Sequence, residues 1–221
     1  MKKLLITSCS ACVFGSLLSA SVLIFDFDPA LANGNLISQD YGDNISSTTD
    51  GNFLYGASGG FTPNVAVSYF GDIGGNQLSH WTTDYDELLG VAYYEPDGSS
   101  MFGITLTAES GFVVNLSSFD LAYYISSGSL TQIAVLDSEG AVVFSQDNLL
   151  VGGGTALNLN PNVTDDVLTI RFDTTGAGST SDNFGIDNIE FSQSVVPEPS
   201  SYALIFGSLA LFAVISRRRS F

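Results

Sequence analysis

Val167-Leu168-Thr169-Ile170-Arg171-Phe172 is the stretch of sequence that decides the fold. Large apolar residues at every second position of a short run are typical of a β-strand with one buried face. Leu168, Ile170 and Phe172 are therefore expected to face a core, and Arg171 is expected to point to solvent. The pattern predicts β-structure at this point of the chain.

Similar short runs, rich in β-branched and aromatic residues and separated by turn residues, lie before and after it. They span residues 22–25, 65–70, 91–94, 102–107, 112–116, 119–125, 130–136, 141–145, 156–159 and 186–191. Asp137-Ser138-Glu139-Gly140 is expected to be a hairpin turn with Gly140 at positive φ, and residues 84–89 are expected to be a short helix. The sequence predicts an all-β protein, an antiparallel β-sandwich of jelly-roll-like type.

The charge balance excludes some partners. The formal net charge of the 221 residues is −17, and Arg171 is the single Lys or Arg between residues 22 and 196. Such a body repels nucleic acid and anionic lipid headgroups. Both cysteines, Cys9 and Cys12, precede it, so its stability is expected to come from its core or from bound cations.

The N-terminal segment has the pattern of a signal peptide. Met1-Lys2-Lys3 is basic, residues 4–18 are uncharged and mostly apolar, and Ser19-Ala20-Ser21 offers small residues for cleavage. We expect residues 1–21 to be a signal peptide with a helical core. Residues 22–192 are then the β-sandwich domain, exported across the cytoplasmic membrane.

The C-terminal segment has three features in order. Residues 193–199 form a linker that contains a Pro-Glu-Pro motif, residues 200–216 form an uncharged apolar run, and residues 217–221 are basic. A helix of this run would be about 25 Å long, at the short end of membrane spans. The sequence predicts a transmembrane helix over 200–216 and a cytoplasmic basic tail over 217–221, because positive residues favour the cytoplasmic side.

This order of features resembles the PEP-CTERM sorting signal of exported bacterial proteins. The residues that carry the resemblance are Pro197, Glu198, Pro199, Arg217, Arg218 and Arg219. The resemblance implies an exosortase-like enzyme that recognises and removes the tail, membrane anchoring before that step, and a producer that also makes exopolysaccharide. A plain C-terminal anchor is the alternative.

A second resemblance concerns the body. Ile24-Phe25-Asp26-Phe27-Asp28 and the stretch 183–191, which contains Ile186-Asp187-Asn188-Ile189, are similar to the first and last strands of jelly-roll carbohydrate-binding modules. The resemblance implies that the two terminal strands lie together and hold a calcium ion, with carboxylates from Asp26 or Asp28 and from Asp187 and with loop carbonyls that complete the shell. Ca²⁺ takes six to eight oxygen ligands. The alternative is that Asp187 only binds loop backbone.

Four aromatic residues are candidates for a platform on which a sugar ring stacks: Trp81, Tyr85, Tyr93 and Tyr94. Adjacent strand residues face opposite ways, so core packing explains Tyr93 or Tyr94 equally well.

Catalytic patterns are sparse. His80 is the single histidine, and the acids Asp84 and Asp86 follow it, but no nucleophile elbow accompanies them. We therefore expect a non-catalytic exported surface or extracellular-matrix protein that binds carbohydrate. The alternatives are a secreted polysaccharide-active hydrolase and a structural or adhesive envelope component.

Overall fold

A computed structural model describes residues 20–26, 31–47, 49–50, 53–54, 56–57, 61–72, 78–94 and 101–196. Within these ranges the chain is all-β, as the sequence predicts, apart from the short 3-10 helix η1 at Gly178–Asn183. None of the helical structure in these ranges has the length and apolarity of a membrane span. The predicted helix over 200–216, the signal segment up to residue 19 and all six sorting-signal residues lie outside the described residues, as does Asp28.

The strands follow one another at short intervals. They are β1 (Ala20–Leu23), β2 (Thr49–Asp50), β3 (Phe53–Leu54), β4 (Gly56–Ala57), β5 (Val65–Gly71), β6 (Ser79–Trp81), β7 (Val91–Tyr93), β8 (Met101–Ala108), β9 (Phe112–Tyr123), β10 (Ser127–Leu136), β11 (Val142–Gly152), β12 (Leu157–Leu159), β13 (Val163–Asp165), β14 (Val167–Asp173) and β15 (Phe184–Val195).

Two antiparallel sheets form the sandwich. In the first, β9 and β15 are central, β12 and β13 pair with the outer edge of β9, and β1 and β7 share the other edge of β15. β4 lies beyond β1, and β6 lies beyond β7. The second sheet has the order β11-β10-β14-β8-β5. The prediction of an antiparallel β-sandwich is thus confirmed.

The core-facing residues of β14 behave as predicted, whereas Arg171 is less exposed than predicted. Leu168, Ile170 and Phe172 are buried, and the residues between them, including Arg171, are half-buried. The ring of Phe172 stacks on that of Phe102, with centroids 4.6 Å apart, and Phe102 stacks in turn on Tyr94 at 5.5 Å. This aromatic stack lies in the core between the sheets.

β15 changes its neighbour halfway along, and this change positions the candidate site. Its N-terminal part pairs with β7 through Gly185 and Ile186, whereas residues 189–192 pair with β1. Between these parts the pairing of β15 with β9 shifts register after Asp187, and Asn188 has φ +50°. The first and last strands therefore pair directly, but the first strand ends at Leu23, so residues 24–26, which the resemblance to carbohydrate-binding modules assigns to it, follow the strand instead.

Both ends of the sandwich extend into segments that the sequence assigns elsewhere. β1 includes Ala20 and Ser21, the last two residues of the predicted signal peptide. β15 runs to Val195 and so includes the first three residues of the predicted linker, because pairing with β9 continues to Phe112. The Val196 N–H still donates to the Gly111 carbonyl at 2.8 Å.

Residues 84–89 form turns and isolated bridges, and the predicted helix is wrong. Asp84 and Asp86 both have positive φ, which an α-helix does not allow. Tyr85 makes a bridge with Tyr124, and the Ile125 N–H donates to the Asp84 carbonyl at 2.7 Å. These contacts hold the loop against the end of β9.

Candidate functional site

An aromatic cavity opens on the outer side of the first sheet, away from the core. Its volume is about 250 Å³, and it is lined by Trp81, Tyr85, Tyr93, Tyr124, Asp182 and Asn183. Ligand pockets for drug-sized molecules are roughly 300–1,000 Å³. This cavity is smaller, and it suits one sugar ring or a comparably small group.

The four rings meet at steep angles. Trp81 packs edge-to-face against Tyr93 and against Tyr124, with centroids 6.0 Å apart in both pairs and interplanar angles of 82° and 89°. Tyr85 lies 5.5 Å from Tyr124 at 50°. Edge-to-face pairs are the favoured arrangement of aromatic quadrupoles. The rings therefore pack against one another at an angle, and a guest in the cavity that they line meets more than one ring.

The sheet supplies the floor of this cluster. Tyr85, Val91, Tyr93 and Ala122 form a small buried apolar group of their own, with Trp81 and Tyr124 packed at its margin. Gly185 makes the close approach possible, because a Cβ there would lie 2.8 Å from the Tyr85 ring and 2.7 Å from Val91. Tyr85 and Tyr93 are thus rigid walls, and Trp81 and Tyr124 are the more accessible ones.

Polar groups complete the lining. The Tyr85 hydroxyl donates to the Asp182 carbonyl at 3.0 Å, and the Asn183 amide donates to the Tyr123 hydroxyl at 3.2 Å. Burial, the neighbouring tyrosines and Asp182 raise the pKa of Tyr85 well above its ordinary value, so its hydroxyl stays protonated. The buried indole N–H of Trp81 has no hydrogen-bond partner among the described residues.

The predicted platform is assembled in part. Trp81, Tyr85 and Tyr93 come together at the cavity, whereas Tyr94 faces the other way. It is 1% exposed and stacks on Phe102 in the main core. The pleat of β7 separates the two neighbouring tyrosines, as alternation requires. Tyr94 is therefore corrected to a core residue.

Sequence reasoning missed Tyr124, Asp182 and Asn183. Tyr124 follows the last residue of β9, and the other two close η1, some 60 residues further along. The Tyr124 N–H donates to the Asn183 carbonyl at 2.9 Å, which holds the two segments together. The adjacent tyrosines 123 and 124 at a strand end were a usable signal for the first, but no local pattern ties η1 to Trp81.

Asp187 occupies the point where β15 changes its neighbour. Its Oδ1 accepts the backbone N–H of Phe25 at 2.8 Å, and the residue is 1% exposed. Burial raises the pKa of Asp187 to about 7, with help from the charges of Asp26 and Asp120 and against the hydrogen bonds from the Phe25 and Asn188 backbone. Burial also raises the pKa of Asp26, while His80 opposes that rise.

These contacts bear on the predicted calcium ligands. Asp187 does bind loop backbone, and the described residues contain no group of three or more His, Cys, Asp or Glu side chains placed to hold a metal ion. The described side chains thus do not make up a calcium shell by themselves. With Asp28 outside the described residues, calcium at Asp26, Asp28 and Asp187 stays a prediction.

The acids that follow Trp81 hold the loop in place. Asp86 accepts the Tyr123 N–H at 3.2 Å through Oδ2 and the Gly154 N–H at 2.6 Å through Oδ1, and Glu87 accepts the Ala156 N–H at 3.3 Å. His80 is fully buried, and its Nε2 lies 2.6 Å from the Phe25 carbonyl oxygen. A carbonyl only accepts, so Nε2 carries a proton and donates it there.

Comparisons with known proteins give distant similarities. No family model matches the sequence, and no curated protein does. Among solved structures, the chain is similar to a cyclase from Fischerella sp. TAU, at 12% identity and a TM-score of 0.37, over 80% of this chain and 99% of that one. It is also similar to the CBM22-1 xylan-binding domain of Paenibacillus barcinonensis Xyn10C, at 14% identity and a TM-score of 0.24, over 76% of this chain and 99% of that one. A third similar structure is the enzymatically active domain of bacteriophage CBA120 tailspike protein 4, at 16% identity and a TM-score of 0.29, over 73% of this chain and 21% of that one.

One prediction is corrected by these similarities. The sequence favours a protein that is not an enzyme, whereas four of the solved structures to which the chain is similar are cyclases, which are enzymes. The correction removes that prediction and puts no activity in its place, because identities of 11–14% and TM-scores of 0.35–0.37 transfer none.

Proposed function

We propose that this is an exported bacterial surface or extracellular-matrix protein that carries a PEP-CTERM sorting signal and binds carbohydrate at the aromatic cavity. The observation that carries the binding part is the cavity itself, in which Trp81, Tyr85, Tyr93 and Tyr124 surround a space of about 250 Å³. Aromatic rings offer a sugar a flat apolar surface, and the polar groups at their edges offer hydrogen bonds.

We include in this proposal a jelly-roll-like arrangement of the sandwich, flanked by the signal helix and the C-terminal transmembrane helix. The direct pairing of β1 with β15 supports the arrangement. Export rests on the two hydrophobic ends and the arginines after the second one. The partners are then an exosortase-like enzyme for the tail, the cell membrane until the tail is cut, and an exopolysaccharide for the cavity.

Replacing Tyr124 by alanine is expected to weaken glycan binding about ten-fold, or ~1.4 kcal/mol, because one accessible wall of the cavity is lost. Trp81 is the single tryptophan of the chain, so its fluorescence reports binding at this site directly. The titration uses the full chain in a detergent without a sugar headgroup, after a glycan array has identified the glycans that the chain retains.

Phe144→Ala is the matched control, since Phe144 is a partly buried aromatic residue on β11 of the other sheet. It is expected to leave binding unchanged. Equal affinities of the Tyr124 and Phe144 variants would place binding away from the cavity. A glycan array without any retained glycan would remove the carbohydrate proposal and leave the structural or adhesive alternative.

Deleting residues 200–221 is expected to release the protein to the medium with its fold intact, because the last strand ends at Val195. Fractionation of producing cells measures the release, and the Trp81 emission spectrum checks the fold. A chain with alanine in place of Pro197, Glu198 and Pro199 is the control, and it is expected to stay uncut in the membrane. Retention of the truncated chain by cells, or its aggregation, would contradict the assigned boundary.

A further inference from the structure

The electrostatic potential in the aromatic cavity is negative. The faces of aromatic rings carry partial negative charge, and four rings line this space together with Asp182. Asp182 is close enough to Tyr85 to raise the pKa of that hydroxyl. A guest in the cavity therefore meets negative potential from both the rings and the carboxylate.

The surroundings reinforce this sign. The loop that carries Tyr85 also carries Asp84, Asp86 and Glu87. Arg171, the single Lys or Arg of the sequence between residues 22 and 196, lies on β14 in the other sheet, where its guanidinium donates to Gln132 at 3.2 Å. No described lysine or arginine lines the cavity. A polysaccharide with uronic acids or sulfates is repelled here, and a cationic sugar is attracted.

Building on the carbohydrate function proposed above, we propose that the cavity selects cationic amino sugars, that is, polysaccharide units with a free ammonium group on the ring. Trp81 and Tyr124 supply the accessible ring faces, and Asp182 supplies a carboxylate for the ammonium group. A cation over such faces is attracted by the ring quadrupole, most strongly by tryptophan. The same sugar keeps an apolar ring face for stacking, so one guest uses both properties of the site.

A series of three oligosaccharides tests the proposal. β-1,4-linked tetramers of glucosamine, N-acetylglucosamine and glucose differ only in an ammonium, acetamide or hydroxyl group at one ring position. Each is titrated into the full chain with Trp81 fluorescence as the readout. The glucosamine tetramer is expected to bind about ten-fold more tightly than the other two, with a difference that shrinks as salt is added. Tetramethylammonium is expected to compete with it.

Two charge variants locate the effect. Asp182→Asn keeps the size of the side chain and is expected to reduce the preference for glucosamine about ten-fold while changing glucose binding less than about two-fold. Glu139→Gln removes the same charge at the exposed β10–β11 turn and is expected to leave the preference intact. An equal effect of both variants would overturn the role of Asp182.

The outcomes separate this inference from the function on which it rests. Equal affinity for the three tetramers, or preference for the acetylated or neutral one, overturns the selection of amino sugars and leaves carbohydrate binding standing. Binding of no tetramer and no glycan overturns both. Binding of tetramethylammonium without any sugar also overturns both, because it shows a site for cations that does not accept a sugar ring.

Discussion

Replacing Asp187 by asparagine is expected to stabilise the protein by about 4 kcal/mol above pH 7 and to change its stability little below pH 4. The cause is the burial of this carboxyl at 1% exposure, which raises its pKa from 3.8 to about 7. The folded state therefore binds a proton between these pH values while the unfolded state does not. The free energy of unfolding falls through this window as pH rises, and asparagine removes that loss.

The sign follows from the direction of the shift. At low pH a carboxyl with a raised pKa is neutral in the folded protein, and its burial then does not lower the free energy of unfolding. Above the folded pKa the buried carboxyl is ionised, and the full loss of stability is reached. The asparagine oxygen still accepts the Phe25 N–H, so the contact between β15 and the segment just after β1 is kept. Denaturant unfolding at several pH values measures the difference between the two chains.

Glu139→Gln is the control for net charge, and its curve of unfolding free energy against pH is expected to run parallel to that of the unchanged protein. A parallel curve for Asp187→Asn would contradict the shifted pKa.

Calcium provides a second experiment, because an ion held by Asp26 and Asp187 favours the ionised form of the Asp187 carboxyl. Millimolar calcium should then stabilise the unchanged protein at high pH and leave Asp187→Asn unaffected, whereas no effect of calcium or chelator on either would remove the calcium prediction.

Replacing Phe102 by alanine is expected to lower the free energy of unfolding by about 3–5 kcal/mol. Phe102 is fully buried and lies between two other rings, 4.6 Å from Phe172 and 5.5 Å from Tyr94. Its removal loses apolar burial and leaves a cavity that the paired strands on either side cannot close. Denaturant unfolding gives the free energy, and calorimetry should show a melting temperature lower by about 6–20 °C.

Leu150→Ala is the control, because this apolar side chain on β11 is 68% exposed. It should change stability by less than about 0.5 kcal/mol. A loss below about 1 kcal/mol for Phe102→Ala would show that the two rings collapse onto each other. Because Phe102 belongs to the second sheet, the surviving folded fraction should keep the Trp81 emission of the unchanged protein.

The strands were predictable because their signal is local. The alternation in residues 167–172 shows which side chains face the core, and the turn at Asp137–Gly140 was recognised with Gly140 at positive φ, observed at +80°. Two predicted runs, 112–116 and 119–125, fall largely within one strand, β9, because Ser118 pairs with Glu190 and the register shift at Ser117 does not end the strand. Polar residues in mid-strand look like a break when the partner strand is unknown.

The loop after Trp81 and half of the cavity were not predictable in this way. Asp86 reaches positive φ because its carboxylate binds the N–H groups of Tyr123 and Gly154, and the second of these is 68 residues away. Asp182 reaches the cavity through a contact with Tyr85, which is 97 residues away in the sequence. Aromatic composition pointed to Trp81, Tyr85 and Tyr93, but only the folded chain adds Tyr124 and Asp182 to them.

The pairing of β1 with β15 also constrains how the chain folds. Leu23 meets Ile189 across this ladder, so the first sheet cannot close until nearly the whole polypeptide has emerged from the ribosome. Contacts this far apart in sequence slow folding, since a long loop must be ordered before they form. Late closure of this sheet is compatible with the export proposed above, because passage through a narrow channel requires a chain that is not yet compact.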